Sequence, residues 1–416
     1  MKEKGFTLIE LLAVIVILAI IALIAVPLVL NIIRDSKEKS ALISVDNYLR
    51  AVENAVAKET MKNPNTNYDG KYTINSDGKV ISSTEKGDIT IEFNGEGLKS
   101  GIIVIGDGKV KESGLLKVDN INIKVDEGKI NILESIEKSY LVSGINFNEK
   151  IKTLVTEKET RYDTQDTKIK EIEFLGYGLI ADGYTLEEFQ RLERVDISEK
   201  QDKKVYAIYD GTDKVYIYSD SELVFNKDSS SMLQSFMSIE KILFGEYIDT
   251  SNVEKMSYMF ASSVDLNILD ISNFNTSNVT NMHGMFQGCS NLTSLNLNHF
   301  NTSKVTDMGA MFWECSKLKE LKISNFDTSK LTSMWNMFNG CKSLVKLDVS
   351  SFDTSNVTNM LNLFLGTRNL KPIYVGEKWI INEGTEVSGM FTGSKTKSSN
   401  QLCRAGSTEE WCVITN

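Results

Sequence analysis

The chain has 416 residues, 41% hydrophobic and 25% charged, a balance that describes folded globular material in more than one domain and excludes wholesale disorder. Its net charge of −10 removes any general electrostatic attraction to nucleic acid, which is therefore not an expected partner. With two histidines, His283 and His299, and five cysteines that form no CxxC pair, neither a metal site nor a cofactor is expected.

The chain opens with MKEKGFTLIELLAVIVILAIIALIAVPLVL. A Lys-rich leader ends at Gly5, and an apolar run begins at Phe6, broken by Glu10 before the uncharged stretch from Leu11 to Leu30. About 20 apolar residues suffice to cross a bilayer as a helix, because a helix satisfies its own backbone groups in lipid. In a secretory signal the small residue at the cut follows the apolar region; here Gly5 precedes it, so cleavage there leaves the helix on the mature protein. Glu10 is costly inside a span unless it finds a partner, and Pro27 removes a backbone donor and bends the helix.

Gly5, Phe6, Glu10 and Pro27 together resemble the N-terminus of the type IV pilins and pseudopilins, the class III prepilin signal with its N-terminal methylation motif. The resemblance implies that prepilin peptidase cuts between Gly5 and Phe6, that the new Phe6 amine is methylated, and that the helix packs among other pilin subunits. Glu10 and Pro27 then belong to the assembly surface, with the Glu10 carboxylate neutralising a neighbour's amine. It also implies a single-pass protein of the cytoplasmic membrane before assembly, and a place on the cell surface or pilus afterwards.

After residues 1–5, the leader, a helix is predicted over 6–60, its transmembrane part about 11–30. Leu42, Val45, Leu49, Val52 and Val56 alternate steps of three and four and form one apolar face, and Pro64 lies just past the helix end. Residues 61–135 read as a pilin-like antiparallel β head. KYTIN, GKVIS, DITIEF, GIIVIG and NINIKV are its strands, and Asp77-Gly78, Asp107-Gly108 and Glu127-Gly128 its turns. Residues 136–203 read as a connecting region with a short helix capped by Thr185 and Glu188. Residues 204–236 hold two Tyr-rich strands around Asp210-Gly211, the expected N-terminal cap of a repeat array.

Residues 237–395 repeat. Met-Phe recurs at Met259, Met285, Met311 and Met337, with Leu363-Phe364 next, a step of about 26 residues that marks a repeat array. Thr250, Thr276, Thr302, Thr328 and Thr354 keep the same step, as do Leu292, Leu295 and Leu297 with their counterparts. One such unit cannot bury both its faces, whereas a stack does. The pattern LxxLxLxxFxTSxVTxMxxMFxxC, seen in NLTSLNLNHFNTSKVTDMGAMFWEC, resembles the BspA-like leucine-rich repeats of bacterial surface proteins. The whole chain thus reads as α+β: a long N-terminal hydrophobic helix with a pilin-like β head, then a BspA-type leucine-rich repeat solenoid, then a C-terminal loop over 396–416.

Cys289, Cys315 and Cys341 share one repeat position and are expected as a buried reduced column, and the Thr column is expected to bond turn backbone. Cys403 and Cys412 bracket RAGSTEEW; on an exported protein they are placed for a disulfide, with free thiols the alternative. The positions that vary between repeats, His283, Gln287, His299, Trp313 and Trp335, are candidates for contact, although the two tryptophans suit a core equally well. No nucleophile stands beside a base and no phosphate loop is present, so an enzyme is not expected.

The combined reading is a minor type IV pilin or pilin-like surface protein that displays a repeat module for adhesion or protein recognition, with a host or matrix protein as the implied partner. Two other readings stay open: a pseudopilin of a secretion or DNA-uptake pseudopilus, and a membrane-tethered surface protein that does not polymerise.

Overall fold

A computed structural model describes residues 8–74, 79–82, 98, 101–114, 116–118, 121–133, 137–176, 179, 181, 184, 186–200, 203–245, 247–396 and 403–404, with side chains of the first helix described from residue 32 onward. It divides into two compact units, Met1–Ile136 and Glu137–Asn416.

The first unit is built on α1 (Leu8–Lys62), a helix of 55 residues that takes in Glu10, the stretch 11–30 and Pro27. Among residues whose side chains are described, no helix is long and apolar enough to cross a membrane; the stretch 11–30 lies outside them. The helix ends where Asn63 donates its N–H to Glu59, just before Pro64, which has no N–H to continue the ladder. Val45, Leu49, Val52 and Val56 are buried as their spacing predicts. Leu42 is only half-buried, and Ala41 and Tyr48 complete the stripe instead, because a helix turns 3.6 residues at a time and the face drifts against a strict three-four count.

Strands β1 (Gly70–Ile74), β2 (Val80–Ser82), β3 (Gly101–Gly106) and β4 (Lys109–Ser113) form an antiparallel sheet in the order β2-β1-β3-β4. A second antiparallel sheet holds β5 (Leu116–Val118), β6 (Ile121–Asp126) and β7 (Lys129–Leu133). Asp107-Gly108 and Glu127-Gly128 close the β3–β4 and β6–β7 hairpins with positive φ at both residues, the geometry that matches strand twist. Tyr72, Ile103, Ile105, Val110, Ile123 and Val125 share one core with the α1 stripe. Glu53 on α1 accepts the Val110 N–H at 3.1 Å, and Ser113 accepts that of Val125 at 2.8 Å, so helix and both sheets are tied. The segments DITIEF and Asp77-Gly78 lie outside the described residues.

In the second unit the expected connector over 136–203 proves to be part of the fold. It supplies β8 (Lys138–Tyr140), α2 (Gly144–Thr156), β9 (Glu171–Leu175), α3 (Leu186–Arg191) and β10 (Glu193–Asp196). Next come β11 (Tyr206–Tyr209), β12 (Lys214–Tyr218), β13 (Glu222–Val224), β14 (Lys241–Leu243), β15 (Ile248–Asp249) and β16 (Ile268–Asp270). One sheet runs β10-β11-β12-β9-β14-β16, so β9 pairs in parallel with strands later in the chain, and another runs β15-β13-β8. Such distant pairing leaves no local signal, and the charges of 149–171 mask Phe147, Ile151, Leu154 and Val155, the buried face of α2. The Tyr-rich hairpin is present as β11–β12, with Gly211 at positive φ. Thr185 lies outside the described residues.

From Asp228 onward the chain climbs in rungs. Parallel bridges link Asp228, Lys255, Asn281, Asp307, Ser333, Asn359 and Glu386 in succession, so the first rung starts inside the segment expected to be a cap. On another side lie β17 (Ser294–Asn296) against β18 (Glu320–Lys322), and β19 (Leu347–Val349) against β20 (Ile373–Val375) and β21 (Cys403–Arg404), all parallel. Equivalent side chains form columns. Phe260, Phe286, Phe312, Phe338, Phe364 and Phe391 stack with centroids 5.5–5.9 Å apart and planes within 19°. Met256, Met282, Met308, Met334 and Met360 are fully buried beside them.

The Thr column is structural. Thr276 accepts the Asn301 N–H at 2.8 Å and donates to the Asn301 carbonyl at 3.0 Å, and Thr250, Thr302, Thr328 and Thr354 bond the next rung in the same way. Cys289, Cys315 and Cys341 are buried free thiols, each donating at 3.1 Å to the Phe carbonyl of the preceding rung. Burial pushes the Cys289 and Cys341 thiols up to about 12 and Cys315 well above its ordinary value.

The Met-Phe segments of successive rungs bond with one polarity: Ser231, Leu233 and Ser235 donate to the carbonyls of Ser257, Met259 and Ala261. The corresponding carbonyls of the first rung have no rung beneath them, and an unpaired buried carbonyl is costly. One face of α2 supplies the donors. Gly144 gives its N–H to Asp228 at 2.8 Å, the Asn148 amide reaches Met232 at 3.3 Å and Gln234 at 2.9 Å, and the Lys152 ammonium reaches Gln234 at 2.8 Å. A Cβ on Gly144 would lie 2.2 Å from the Ser230 carbonyl oxygen, so only glycine allows this approach. Lys152 is fully buried with Phe236 under its ammonium, and the desolvation lowers its pKa to about 8 despite Asp166, Asp163 and Glu149 nearby.

Urea unfolding and thiol labelling test this packing. Asn148→Ala should cost about 1–3 kcal/mol, since it leaves first-rung carbonyls without their donor. Because the Lys152 pKa is depressed in the folded state, its charge costs stability in full below pH 8, and that cost disappears as the pH rises toward the ordinary lysine value. Stability of the native protein relative to Lys152→Met should therefore rise between pH 8 and 10. Maleimide at pH 7 should leave Cys289, Cys315 and Cys341 unlabelled in the native protein and label all three in urea, read by peptide mass.

Candidate functional site

The columns that face inward leave a few positions per rung free to vary, and four of these carry aromatic rings that meet at the surface. Tyr258 and His283 lie 5.1 Å apart by ring centroid, His283 and Trp335 5.4 Å, and Trp335 and Trp313 6.5 Å. All four are half-buried, which answers the question left open for the tryptophans: neither is core, and each presents part of its ring to solvent.

The arrangement depends on two residues without side chains. Trp335 and His283 sit two rungs apart, with Gly309 at the same repeat position on the rung between them. A Cβ on Gly309 would lie 2.6 Å from Trp335 Nε1 and 3.1 Å from His283 Cε1, so the indole rests across bare backbone and reaches the imidazole beyond. Gly284 plays the same part for Tyr258, whose ring comes within 2.5 Å of the position a Cβ would occupy.

Polar groups fix and flank the rings. Asp307 faces His283 Nδ1 with its two oxygens at 3.1 and 3.2 Å and accepts the Gly309 N–H at 2.9 Å. Burial works to raise the Asp307 carboxyl, but the bonds from His283 and Gly309 outweigh it and hold the group below the usual carboxylate range. Burial also raises the Tyr258 phenol, with Asp307 adding to the effect, so the tyrosine stays a neutral donor at physiological pH. Glu314, next to Trp313, pairs with Lys342 at 3.2 Å, and the Gln287 amide lies beside Gly284.

Of the positions picked out in the sequence, the structure gathers His283, Trp313, Trp335 and Gln287 in this patch. His299 stands apart, bonded to the Ile271 carbonyl and packed edge-on against Phe300. Sequence reasoning missed Tyr258, Asp307 and Gly309. The signal was there in the repeat alignment, where Gly309 occupies the column of His283 and Trp335. Gly5, Phe6 and Cys412 lie outside the described residues, as do the side chains of Glu10, Pro27 and Cys403. Among the described residues no cluster of His, Cys, Asp and Glu is placed to hold a metal ion.

Comparison with known proteins bears on both ends of the chain. The search of curated proteins and the search of solved structures each return no match. The family described as "Mycoplasma protein of unknown function, DUF285" matches twice, over residues 227–321 and 291–403, and so covers the rungs and the aromatic patch. Residues 1–26 match the "Prokaryotic N-terminal methylation motif", so the chain carries a prepilin-type signal at its N-terminus.

Proposed function

We propose that this protein is a minor type IV pilin, or a pilin-like surface protein, in which a BspA-like leucine-rich repeat solenoid is displayed for adhesion or recognition. The observation that carries the reading is the methylation motif over residues 1–26 running into α1, a single helix that reaches Lys62 and supplies the apolar stripe of the first unit. A chain whose targeting signal is also the start of a core helix keeps that helix after processing.

In this reading the stretch 11–30 spans the membrane before assembly and packs among other pilin subunits afterwards. Prepilin peptidase removes residues 1–5, and Phe6 carries the methylated amine. Glu10 pairs with the amine of a neighbour: a carboxylate and an ammonium are each expensive to bury alone and tolerable together. The second unit acts by binding, without catalysis. Its Cys column is sealed in the core with thiols held protonated, and its one imidazole–carboxylate pair among the described residues, His283 with Asp307, serves to fix an aromatic surface.

The reading is tested on cells with active prepilin peptidase. N-terminal mass analysis should find Phe6 as the first residue, one methyl group heavier than expected from sequence, and antibody against the protein should label sheared filaments. Glu10→Ala should lower filament incorporation at least about tenfold, because it strands a buried charge worth several kcal/mol. An intact leader together with label confined to the cell body would overturn the proposal in favour of a membrane-tethered protein that does not polymerise.

A further inference from the structure

The stack is covered at its first rung and uncovered at its last. Met360, Asn362, Phe364 and Gly366 give their N–H groups to the carbonyls of Glu386, Ser388, Met390 and Thr392 on the rung above. Their counterparts on that rung are Val387, Gly389, Phe391 and Gly393, whose N–H groups donate to nothing among the described residues. On the strand side β21 lies over β20, but no described segment lies over this row. The side chains change with it. Val387 is 39% exposed where Met256, Met282, Met308, Met334 and Met360 are sealed, and Phe391, the last ring of its column, is only half-buried. Ile381 stands where the threonine column would continue, since Ile380 gives its N–H to Thr354 as Asp353 does to Thr328, and both isoleucines are exposed. Unpaired backbone donors and exposed apolar side chains together mark an uncovered interface.

What fits this surface follows from what each lower rung already holds. The underside of a rung offers the carbonyls of every second residue and no N–H, because its other N–H groups are used in its own turns: Ser388 donates to the Glu386 carboxylate, Met390 to the Val387 carbonyl, Thr392 to that of Gly389 and Ser394 to that of Phe391. An ordinary strand edge alternates donors with acceptors, so half of its groups would face a row that cannot accept them. A second copy of the chain matches no better. End to end it sets one row of donors against another, and its carbonyl row is already covered by Gly144, Asn148 and Lys152 of α2. A proline-rich segment has the required character. Proline keeps its carbonyl and lacks the N–H, holds the chain extended at low ordering cost, and carries an apolar ring that packs on an aromatic face. The prolines of this chain are Pro27, Pro64 and Pro372, so it contains no such run.

We propose that the uncovered end of the stack, with the N–H groups of Val387, Gly389, Phe391 and Gly393, is a docking surface for an extended proline-rich segment of another protein. The segment's carbonyls continue the hydrogen bonding of the rungs, and its rings cover Val387 and Phe391. The inference rests on the reading of the second unit as a recognition module, but it concerns the partner alone. Filament incorporation with no peptide binding would sink only this inference, and peptide binding without filaments only the other.

The test uses the full chain in detergent, with fluorescein-labelled decaproline as the probe and, as the control, a labelled peptide of equal length in which Thr and Val alternate between terminal lysines and every N–H is kept. Anisotropy should rise saturably with decaproline in the roughly millimolar range or tighter, and the control should bind at least about tenfold more weakly. Phe391→Ala and Val387→Asp should each weaken decaproline binding at least about tenfold, the first by removing the ring and the second by setting a carboxylate against the incoming carbonyls. Val387 is exposed, so its variant keeps the test decisive even where Phe391→Ala lowers the unfolding midpoint. Trp313→Ala, in the aromatic patch, should leave binding unchanged, as should removal of residues 405–416. No saturable rise with decaproline, equal affinity for the control peptide, binding that survives both end variants, binding lost in Trp313→Ala, or binding that emerges only once residues 405–416 are removed would overturn the proposal.

Discussion

Parallel rungs bonded in one polarity create the constraint on which most of this structure depends. Within the stack each rung's Met-Phe segment finds partners above and below, but the first has no rung beneath it, and a row of buried carbonyls without donors is costly. The protein meets this with α2, whose Gly144, Asn148 and Lys152 lie four residues apart on one face and deliver a backbone N–H, an amide and an ammonium to the exposed row. An ammonium is an expensive choice for a buried site. It is accepted because Lys152 reaches the Tyr162 carbonyl as well as that of Gln234, and rests over the Phe236 ring.

The same constraint governs each column. A side chain in a stack has a copy of itself, or of its counterpart, one rung away on either side, so it must be compatible with its own repetition. Phe satisfies this by stacking with near-parallel planes. Thr satisfies it by using its hydroxyl as donor and acceptor to the same residue of the next rung. The Cys column is explained by the member before it: Ser263 occupies the position before Cys289 and donates to the Leu233 carbonyl as Cys289 donates to that of Phe260. From Ser263 to Cys341 the position holds a small donor aimed at the preceding rung, and after it Thr367 donates instead to Phe364 of its own rung. A thiol suits an apolar interior better than a hydroxyl, and a disulfide between neighbours would remove two of these bonds.

How much of this was legible depends on how far apart in the chain the partners lie. The α1 stripe, the Asp107-Gly108 and Glu127-Gly128 turns, and the repeated Phe, Met, Thr and Cys columns each show within a short window or at a fixed step, and the sequence pattern finds them. The segment from Lys138 to Leu175 shows nothing of the kind, whereas the short helix expected after Thr185 is there as α3. β9 is completed by β12 and β14, and Asn148 by carbonyls more than 80 residues away, so alternating charge there looks like a linker. The aromatic patch falls between these cases. Trp313, Trp335 and His283 stood out because they break the repeat, but that they touch was hidden, because the contact depends on what Gly309 lacks.

That dependence bears on how a varied surface arises on a periodic scaffold. Successive bridges step by 26 residues from Lys255 through Asn359, but by 27 at either end, from Asp228 to Lys255 and from Asn359 to Glu386. All four rings belong to rungs of the even section, where the register of each rung on the next is the same and a side chain can reach across without meeting a local shift. Within that section the buried columns are nearly invariant and cannot be varied without loss of packing. Surface positions are released from this demand, and a glycine at one of them lets a large ring on a neighbouring rung spread over two. The surface is therefore made by pairs of departures from the period, a ring and a gap, on a framework whose regularity holds them in place.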